Sequence, residues 1–243
     1  MIEVAVFVEG HTELIFMREY LLKMYDYQNV SIECFTLFTD GNFNETEYPF
    51  PNVDAGFYFQ IINVGNDNAV LSRLLNREKY LWNMGFHKII GVRDMYSKAY
   101  REAVQNGVIN EDINLKFVEG AKITIQSKSV NAQNIHFCYA IMEVEAWILG
   151  LKNCFTHLDA KLNAGYIAQK LGYHLDLIDP EVTFFHPASN IGDIYNLVGK
   201  TYSKSKGDIN AIMNNLQKHH FIDLAQNSKC SSFKKLHSTF FPN

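Results

Sequence analysis

The sequence predicts an α/β fold in which a mostly parallel sheet is flanked by helices and is followed by a helical C-terminal part. Over residues 1–150, short apolar runs rich in β-branched residues alternate with stretches of helical spacing. Several of the apolar runs end in an acidic residue, and from residue 190 onward the spacing is helical. Alternating strands and helices predict a parallel sheet, because parallel neighbours need a crossover connection, usually a helix.

The composition is that of an ordinary globular protein. Hydrophobic residues make up 47% of the 243 residues and charged residues 20%, which excludes a disordered or fibrous chain. We predict an α/β core over residues 1–150, with an exposed insertion at about 39–57 where Asp, Gly, Asn and Pro are frequent. Residues 151–243 are predicted to form a mainly helical part that packs on this core and is not independent.

Charge and cysteine usage narrow the classes of partner. A net charge of −4 argues against a protein that coats nucleic acid, so any contact with a polyanion must be local. No apolar run reaches the roughly 18 residues of a membrane span, and no signal-like stretch is present, which predicts a cytoplasmic protein without membrane contact. Scattered cysteines without a C-x-x-C pair predict buried, reduced thiols at Cys34, Cys138, Cys154 and Cys230.

The N-terminal segment predicts a strand, a tight turn and a helix. The run EVAVFVEG is apolar and stops at a glycine, and HTELIFMREYLLKMY then places apolar residues on one helical stripe. Thr12 is a candidate N-cap of this helix. Glu13, in the first turn, would favour the positive end of the helix dipole even without a further role.

Further elements follow along the chain. Strands are predicted at VSIECFTLF, FYFQIINV, KIIGVRD and IHFCYAIM, and a helix at residues 68–84. Another helix is predicted from residue 98 through Val108, whereas the secondary structure of residues 111–130 is ambiguous from the sequence. Near the C-terminus three helical stretches are predicted, and Asp208 is a candidate N-cap for the second of them.

Acidic residues follow three of the predicted strands. Glu9 follows the first strand, with Glu13 one helical turn later, and the other acids are Asp94, Glu143 and Glu145. The carboxyl ends of parallel strands meet at one edge of a sheet, and carboxylate oxygens are the hard ligands that Mg²⁺ and Mn²⁺ prefer. The sequence therefore predicts a Mg²⁺ or Mn²⁺ site there. The alternatives are that Asp94 caps a helix and that Glu143 and Glu145 are solvated in a first helical turn.

Several motifs together resemble the Toprim superfamily. The motif V-E-G-x-T-E at Val8 to Glu13 is similar to the first Toprim motif, and K-I-I-G-V-R-D at Lys88 to Asp94 is similar to the strand that delivers the D-x-D of the family. The later segments M-E-V-E-A-W-I-L, Y-x-K and C-x-x-F, at residues 142–149, 202–204 and 230–233, also fit. The resemblance is closest to the overcoming-lysogenization-defect type of nuclease and to uncharacterised bacterial defence families. It implies a Toprim-like, Rossmann-like sheet.

This resemblance implies roles for the first three acids. Glu9 and Glu13 would be metal ligands, or one of them a general base acting on metal-bound water, and Asp94 would be a central ligand. The sequence departs from the family at Tyr96, where D-x-D requires an aspartate. That departure makes one metal ion a safer prediction than two.

The later motifs are given roles in the same way. Glu143 and Glu145 would take the place of the second acidic pair, and Lys204 would stabilise charge that develops on a phosphate. Lys206 is the alternative to Lys204 for that role.

The function that the resemblance implies is a Mg²⁺-dependent nuclease, or a related phosphodiester-handling enzyme, in bacterial anti-phage defence. Its partner would be nucleic acid, either DNA or RNA, and a homo-oligomer stays open. The alternative is a non-catalytic Toprim-like module that works with a separately encoded ATPase, since no G-x-x-x-x-G-K-[ST] loop is present in this sequence.

Overall fold

A computed structural model describes residues 1–65, 69–104, 107–151 and 153–242. The strands are β1 (Ile2–Val8), β2 (Val30–Leu37), β3 (Phe43–Glu45), β4 (Phe57–Asn63), β5 (Lys88–Asp94) and β6 (Ile135–Ala140). The helices are α1 (His11–Met24), α2 (Val70–Asn83), α3 (Lys98–Ala103), α4 (Glu111–Lys128), α5 (Val144–Gly150), α6 (Ala164–Leu171), α7 (Pro180–Thr183), α8 (Pro187–Asn196), α9 (Lys206–Met213), α10 (Lys218–Gln226) and α11 (Ser231–Phe240).

The described strands form one six-stranded sheet in the order β3-β2-β4-β1-β5-β6. All neighbouring strands are parallel except β3, which pairs antiparallel with β2 at one edge. The predicted α/β class, a mostly parallel sheet flanked by helices, is confirmed. Because the long strands are parallel, their carboxyl ends lie at the same edge of the sheet.

The central strand β1 shows why the sheet is covered on both faces. Val6 and Val8 belong to the hydrophobic cluster that contains α1, whereas Ala5 and Phe7 belong to the cluster that contains α2. None of these four side chains is exposed. A continuous apolar run, in place of an alternating one, is the pattern expected of a parallel strand buried on both faces.

The larger cluster joins the sheet to the C-terminal helices. Trp147 lies between two aromatic residues from distant parts of the chain, with ring centroids 5.5 Å from Phe16 of α1 and 5.5 Å from Phe233 of α11. Tilted and edge-to-face aromatic contacts of this kind add to the burial of their apolar surface. Helices on both sides of residue 150 thus share one core; the division of the chain at that residue stays a prediction.

Several local predictions are corrected. Helix α1 has Gly10 as its N-cap, so the Thr12 prediction is wrong, and α9 has Ser205 as its N-cap, with Asp208 at the third helical position in a capping box. The helix predicted through Val108 ends at Ala103, because Val104 has extended backbone angles. Residues 105 and 106, and residue 68 of the other predicted helix, lie outside the described residues.

Two further features concern the whole described chain. The four cysteines are buried and none is joined in a disulfide. In the part of the chain that the structure describes, no helix combines the length and the apolar character needed to cross a bilayer.

Candidate metal centre

Acidic residues from three neighbouring strands converge at one edge of the sheet. Glu9 follows β1, Asp94 ends β5 and Glu143 lies just beyond β6, and these strands are adjacent in the order β1-β5-β6. The backbone N–H of Asp94 donates to Oε2 of Glu9 at 3.3 Å. The topology therefore brings together acids that are up to 134 positions apart in the sequence, from Glu9 to Glu143.

Three of the acids form a compact group. Asp94, Glu143 and Glu145 each offer one carboxylate oxygen, these oxygens lie within 4.8 Å of one another, and all three residues are buried. Glu143 is the N-cap residue of α5 and Glu145 lies in its first turn, so the short connection between β6 and α5 positions both carboxylates. Met142 lies in this connection, and its φ of 66° is uncommon for a residue with a side chain.

Backbone amides hold two of these carboxylates in place. Oδ1 of Asp94 accepts a hydrogen bond from the N–H of Val144 at 2.9 Å, and Oε2 of Glu143 accepts one from the N–H of Ala188 at 3.0 Å. Each carboxylate is thereby oriented by a rigid helix end. Such orientation is what a ligand set for a metal ion requires.

Glu145 differs from the other two in its hydrogen bonding. Its Oε1 accepts from the hydroxyl of Tyr202 at 2.9 Å and lies 3.1 Å from Nζ of Lys204. Its side chain is 0% exposed, and its Oε2 is buried without a hydrogen-bond partner among the described residues. A buried carboxylate oxygen without a donor is costly, so this oxygen fits a position that a cation fills.

Glu9 and Glu13 lie beside this group. Both line the adjoining cavity with Asp94, but the compact set within 4.8 Å does not include them. Burial, together with the charge of Glu145, raises the pKa of Glu13 to about 7. Their predicted roles as ligands or base stay predictions, and the structure places both at the edge of the sheet where the predicted site lies.

Two acids of the compact group, Asp94 and Glu145, respond to the same surroundings. Burial raises the pKa of Asp94 well above its usual range, and the charges of Glu13, Glu9 and Glu145 act in the same direction. Burial also raises the pKa of Glu145, while the nearby Lys204 opposes that rise. A bound divalent cation would favour the charged form of each carboxyl, because an opposite charge nearby lowers a carboxyl pKa.

A cavity of about 850 Å³ opens in front of the acids. Its acidic wall contains Glu9, Glu13 and Asp94, with Lys204 beside them. The rest of the lining comes from the carboxyl ends of β2 and β4 and the residues after β2, and includes Thr36, Phe38, Thr39 and Asn63. The cavity has the size of a small-molecule site, whose typical volume is roughly 300–1,000 Å³.

Tyr96 is part of a different cluster. Its hydroxyl lies 2.9 Å from Nε2 of His186 and 3.3 Å from a guanidinium nitrogen of Arg101, which donates to it. Its ring packs edge-on against Phe185 at a centroid distance of 5.6 Å. The position that would carry the second aspartate of a D-x-D motif thus supplies no carboxylate.

The two candidate lysines lie in different surroundings. Nζ of Lys204 lies 2.8 Å from Oε1 of Glu143 and 3.1 Å from Oε1 of Glu145. Lys206 instead pairs with Glu47 at 2.8 Å in an exposed position. Of the two, Lys204 is the lysine that reaches the acidic group.

The sequence gives no signal for the part that some residues take in the site. Ala188 contributes only a backbone amide, from a helix 45 positions after Glu143. Asp208 acts through the loop that carries Lys204, since its Oδ2 accepts hydrogen bonds from the N–H and hydroxyl of both Ser203 and Ser205. Tyr202 had a signal, its Y-x-K spacing with Lys204, but no role could be assigned from the spacing.

Comparisons with known proteins give no family. Neither a family model nor a curated protein matches this chain. Among solved structures, the chain is similar to one described as "the putative cell surface hydrolase from Lactobacillus plantarum WCFS1", at 10% sequence identity and a TM-score of 0.30. That similarity covers 63% of this chain and 56% of the other, and at this TM-score it carries no argument about function.

These findings correct the family and the function that the motifs implied. The Toprim assignment is wrong, because no family model, that of Toprim included, matches this chain. The Mg²⁺-dependent nuclease and the alternative of a Toprim-like module both followed from that assignment, and both are wrong with it. Short motifs of four fixed residues recur by chance, which is the reason for the error. The geometry of the acidic group does not depend on the family.

Proposed function

We propose that this chain binds one divalent cation, Mg²⁺ or Mn²⁺, through Asp94, Glu143 and Glu145, and presents it to an anionic ligand in the adjoining cavity. The observation that carries the proposal is Oε2 of Glu145, which is buried, lacks a hydrogen-bond donor among the described residues and belongs to a group of three convergent carboxylates. If every carboxylate oxygen of the group accepted a hydrogen bond, no acceptor would be left for a cation. Here Oε2 of Glu145 is such an acceptor.

The chemistry of the ligands selects the kind of cation. The group offers carboxylate oxygens alone, without a histidine or cysteine among its three members. Oxygen-only sets suit Mg²⁺, Mn²⁺ and Ca²⁺, whereas Zn²⁺ and Cu²⁺ are usually held through nitrogen or sulfur. Three monodentate carboxylates leave coordination positions for water or ligand, as Mg²⁺ usually keeps.

The cavity favours an anionic ligand. Of the three proposed ligands Asp94 lines this cavity, so a ligand in it would approach the cation from the side of Asp94, and Lys204 adds a second positive charge at its wall. Thr36 and Thr39, which carry hydroxyl groups, also line the cavity. A phosphate or carboxylate group would be attracted by both positive charges, and the hydroxyls would supply hydrogen-bond donors.

Other predictions form no part of this proposal. Glu9 and Glu13 as additional ligands, nucleic acid and a separate ATPase as partners, a homo-oligomer and a cytoplasmic location all stay predictions. Within the proposal, Glu9 and Glu13 keep the cavity acidic and raise the advantage of a bound cation.

The proposal is tested by titrating MnCl₂ into the protein and following both binding heat and thermal unfolding. A cation that binds the folded state alone should stabilise it by about 2.7 kcal/mol at a hundredfold excess over Kd. Asp94→Asn and Glu145→Gln should abolish the binding heat and the shift in Tm. Glu47→Gln is the matched control, because Glu47 is an exposed acid outside the group, and it should bind as the wild type does. Binding that persists in both Asp94→Asn and Glu145→Gln would refute this site.

A further inference from the structure

Lys204 already supplies a positive charge to two of the three proposed ligands. Its Nζ contacts Oε1 of Glu143 at 2.8 Å and Oε1 of Glu145 at 3.1 Å. Its side chain is 40% exposed, whereas those of Glu143 and Glu145 are 9% and 0% exposed. The cation of this site in the metal-free protein is thus a side chain at the border between the buried acids and the cavity.

The hydrogen bonds of Glu143 make this contact a competitor for metal. Oε2 of Glu143 accepts from the backbone N–H of Ala188, and Oε1 accepts from Lys204. Both oxygens are therefore engaged before a metal ion binds. An ion that binds Glu143 must share an oxygen with one of these donors, and two positive charges at one oxygen repel each other.

Of the two donors, the lysine is the one that can leave. The amide of Ala188 belongs to the first turn of α8, a helix that packs against α5. Lys204 has a long flexible side chain that lines the open cavity. Its backbone is fixed on both sides, because Asp208 binds Ser203 and Ser205, so the side chain can move while the loop stays in place.

We infer that Lys204 is an exchangeable internal cation, which neutralises Glu143 and Glu145 in the metal-free protein and turns toward an anion in the cavity when a divalent cation binds. This inference rests on the proposed metal site. When the metal binds, the ammonium group of Lys204 loses its carboxylate partners. An anion in the cavity then gives this group a new negatively charged partner. Metal and anion therefore bind cooperatively, and each raises the affinity for the other by the same factor.

The experiment measures Mn²⁺ affinity by calorimetry in the wild type, Lys204→Met and Lys206→Met, first in sodium chloride and then in sodium sulfate at matched ionic strength. Lys204→Met should bind Mn²⁺ about tenfold more tightly than the wild type in chloride, since no ammonium competes. With affinities referred to free Mn²⁺, because sulfate itself pairs with Mn²⁺ in solution, sulfate should raise the affinity of the wild type severalfold and leave that of Lys204→Met unchanged. Lys206→Met should behave as the wild type, because Lys206 pairs with Glu47 outside the acidic group. Lys204→Gln serves as a second variant if Lys204→Met does not fold.

The outcomes separate this inference from the proposed function. If the wild type binds Mn²⁺ and neither Lys204 variant binds it more tightly, Lys204 does not compete and the inference is overturned while the metal site stands. If sulfate has no effect on the wild type, the coupling between metal and anion is overturned. If neither the wild type nor the Lys204 variants bind Mn²⁺, the proposed function and this inference are both overturned.

Discussion

Two buried glutamates in this protein have nearly equal burial and opposite surroundings. Glu181 of α7 is 1% exposed and Glu145 of α5 is 0% exposed. Oε1 of Glu181 accepts from Nε1 of Trp147 at 2.9 Å and from the hydroxyl of Ser232, and Oε2 accepts from the N–H of Ser232 at 3.0 Å. Glu145 has donors at Oε1 but none at Oε2 among the described residues.

The difference separates a structural carboxylate from a candidate ligand. The hydrogen bonds from Ser232 and Trp147 oppose the rise that burial causes in the pKa of Glu181. Glu145 has the acids Asp94 and Glu143 as neighbours, and among the described residues only Lys204 brings a positive charge close to it. Burial alone therefore does not identify a functional carboxylate; the unfilled acceptor and the repelling neighbours do.

The largest expected effect is on the satisfied carboxylate. Glu181→Ala should lower the free energy of unfolding by roughly 2–5 kcal/mol, because it leaves the donors of Trp147 and Ser232 buried and unpaired. Urea unfolding measures the loss, and the Mn²⁺ affinity of the folded variant should be unchanged. Glu119→Ala, at an exposed surface pair, is the control and should change stability by less than about 0.5 kcal/mol. A loss below about 1 kcal/mol in Glu181→Ala would show that the network contributes little.

The second prediction concerns pH and the acids of the metal centre. The pKa of Glu13 is raised from 4.5 to about 7 in the folded protein, so between these values the folded state binds more protons than the unfolded state. The contribution of Glu13 to the free energy of unfolding should therefore fall as pH rises from about 4.5 to 7, by on the order of 3 kcal/mol, and the raised pKa values of Asp94 and Glu145 act in the same direction. Urea unfolding of the wild type and Glu13→Gln, with chelator at several pH values, isolates this contribution from that of the histidines whose pKa values are lowered. Saturating Mn²⁺ should reduce the fall, and a difference between the two proteins that does not change with pH in chelator would contradict the prediction.

Removing one negative charge from the metal centre should raise the free energy of unfolding, whereas the change at Glu181 should lower it. Glu13→Gln should raise the free energy of unfolding at pH 8 by about 1–2 kcal/mol without metal, because burial and the charge of Glu145 disfavour the ionised form of Glu13. At pH 4 the gain should vanish, since Glu13 is then protonated in both states, and this serves as the internal control. Chemical unfolding at the two pH values measures both. If Glu13→Gln instead loses stability at pH 8, the prediction is wrong, and Glu13 stabilises the fold as Glu181 does.

The smallest expected effect lies at the loop that presents Lys204 to Glu145. Asp208→Ala removes the capping box of α9 and the bonds to Ser203 and Ser205, and should cost about 1 kcal/mol of stability. The variant should still bind Mn²⁺, because Asp208 is outside the acidic group. Thermal unfolding with and without Mn²⁺ measures both effects. Loss of Mn²⁺ binding would mean that the loop itself forms part of the site.

Part of this molecule follows from the sequence alone. The alternation of apolar runs and helical stretches determined the α/β class, since the side-chain periods of strands and helices are local properties. The same reasoning put Glu9, Asp94 and Glu143 at the ends of strands and so at one edge of the sheet, because parallel strands share their direction. Residues 111–130 are ambiguous from the sequence, and most of them, Glu111–Lys128, form the largely exposed helix α4, in which only Asn114, Ala121 and Ile125 are buried.

The tertiary structure decided which buried carboxylates have hydrogen-bond donors for both oxygens and which do not. Glu181 gave no signal in the sequence, because the donors that satisfy it lie 34 and 51 positions away, at Trp147 and Ser232. Likewise, the amide of Ala188 and the unfilled Oε2 of Glu145 depend on how helices pack around the end of β6. The sequence determines where acids stand along the chain, but hydrogen bonding between distant segments determines whether each one is satisfied or left to receive a cation.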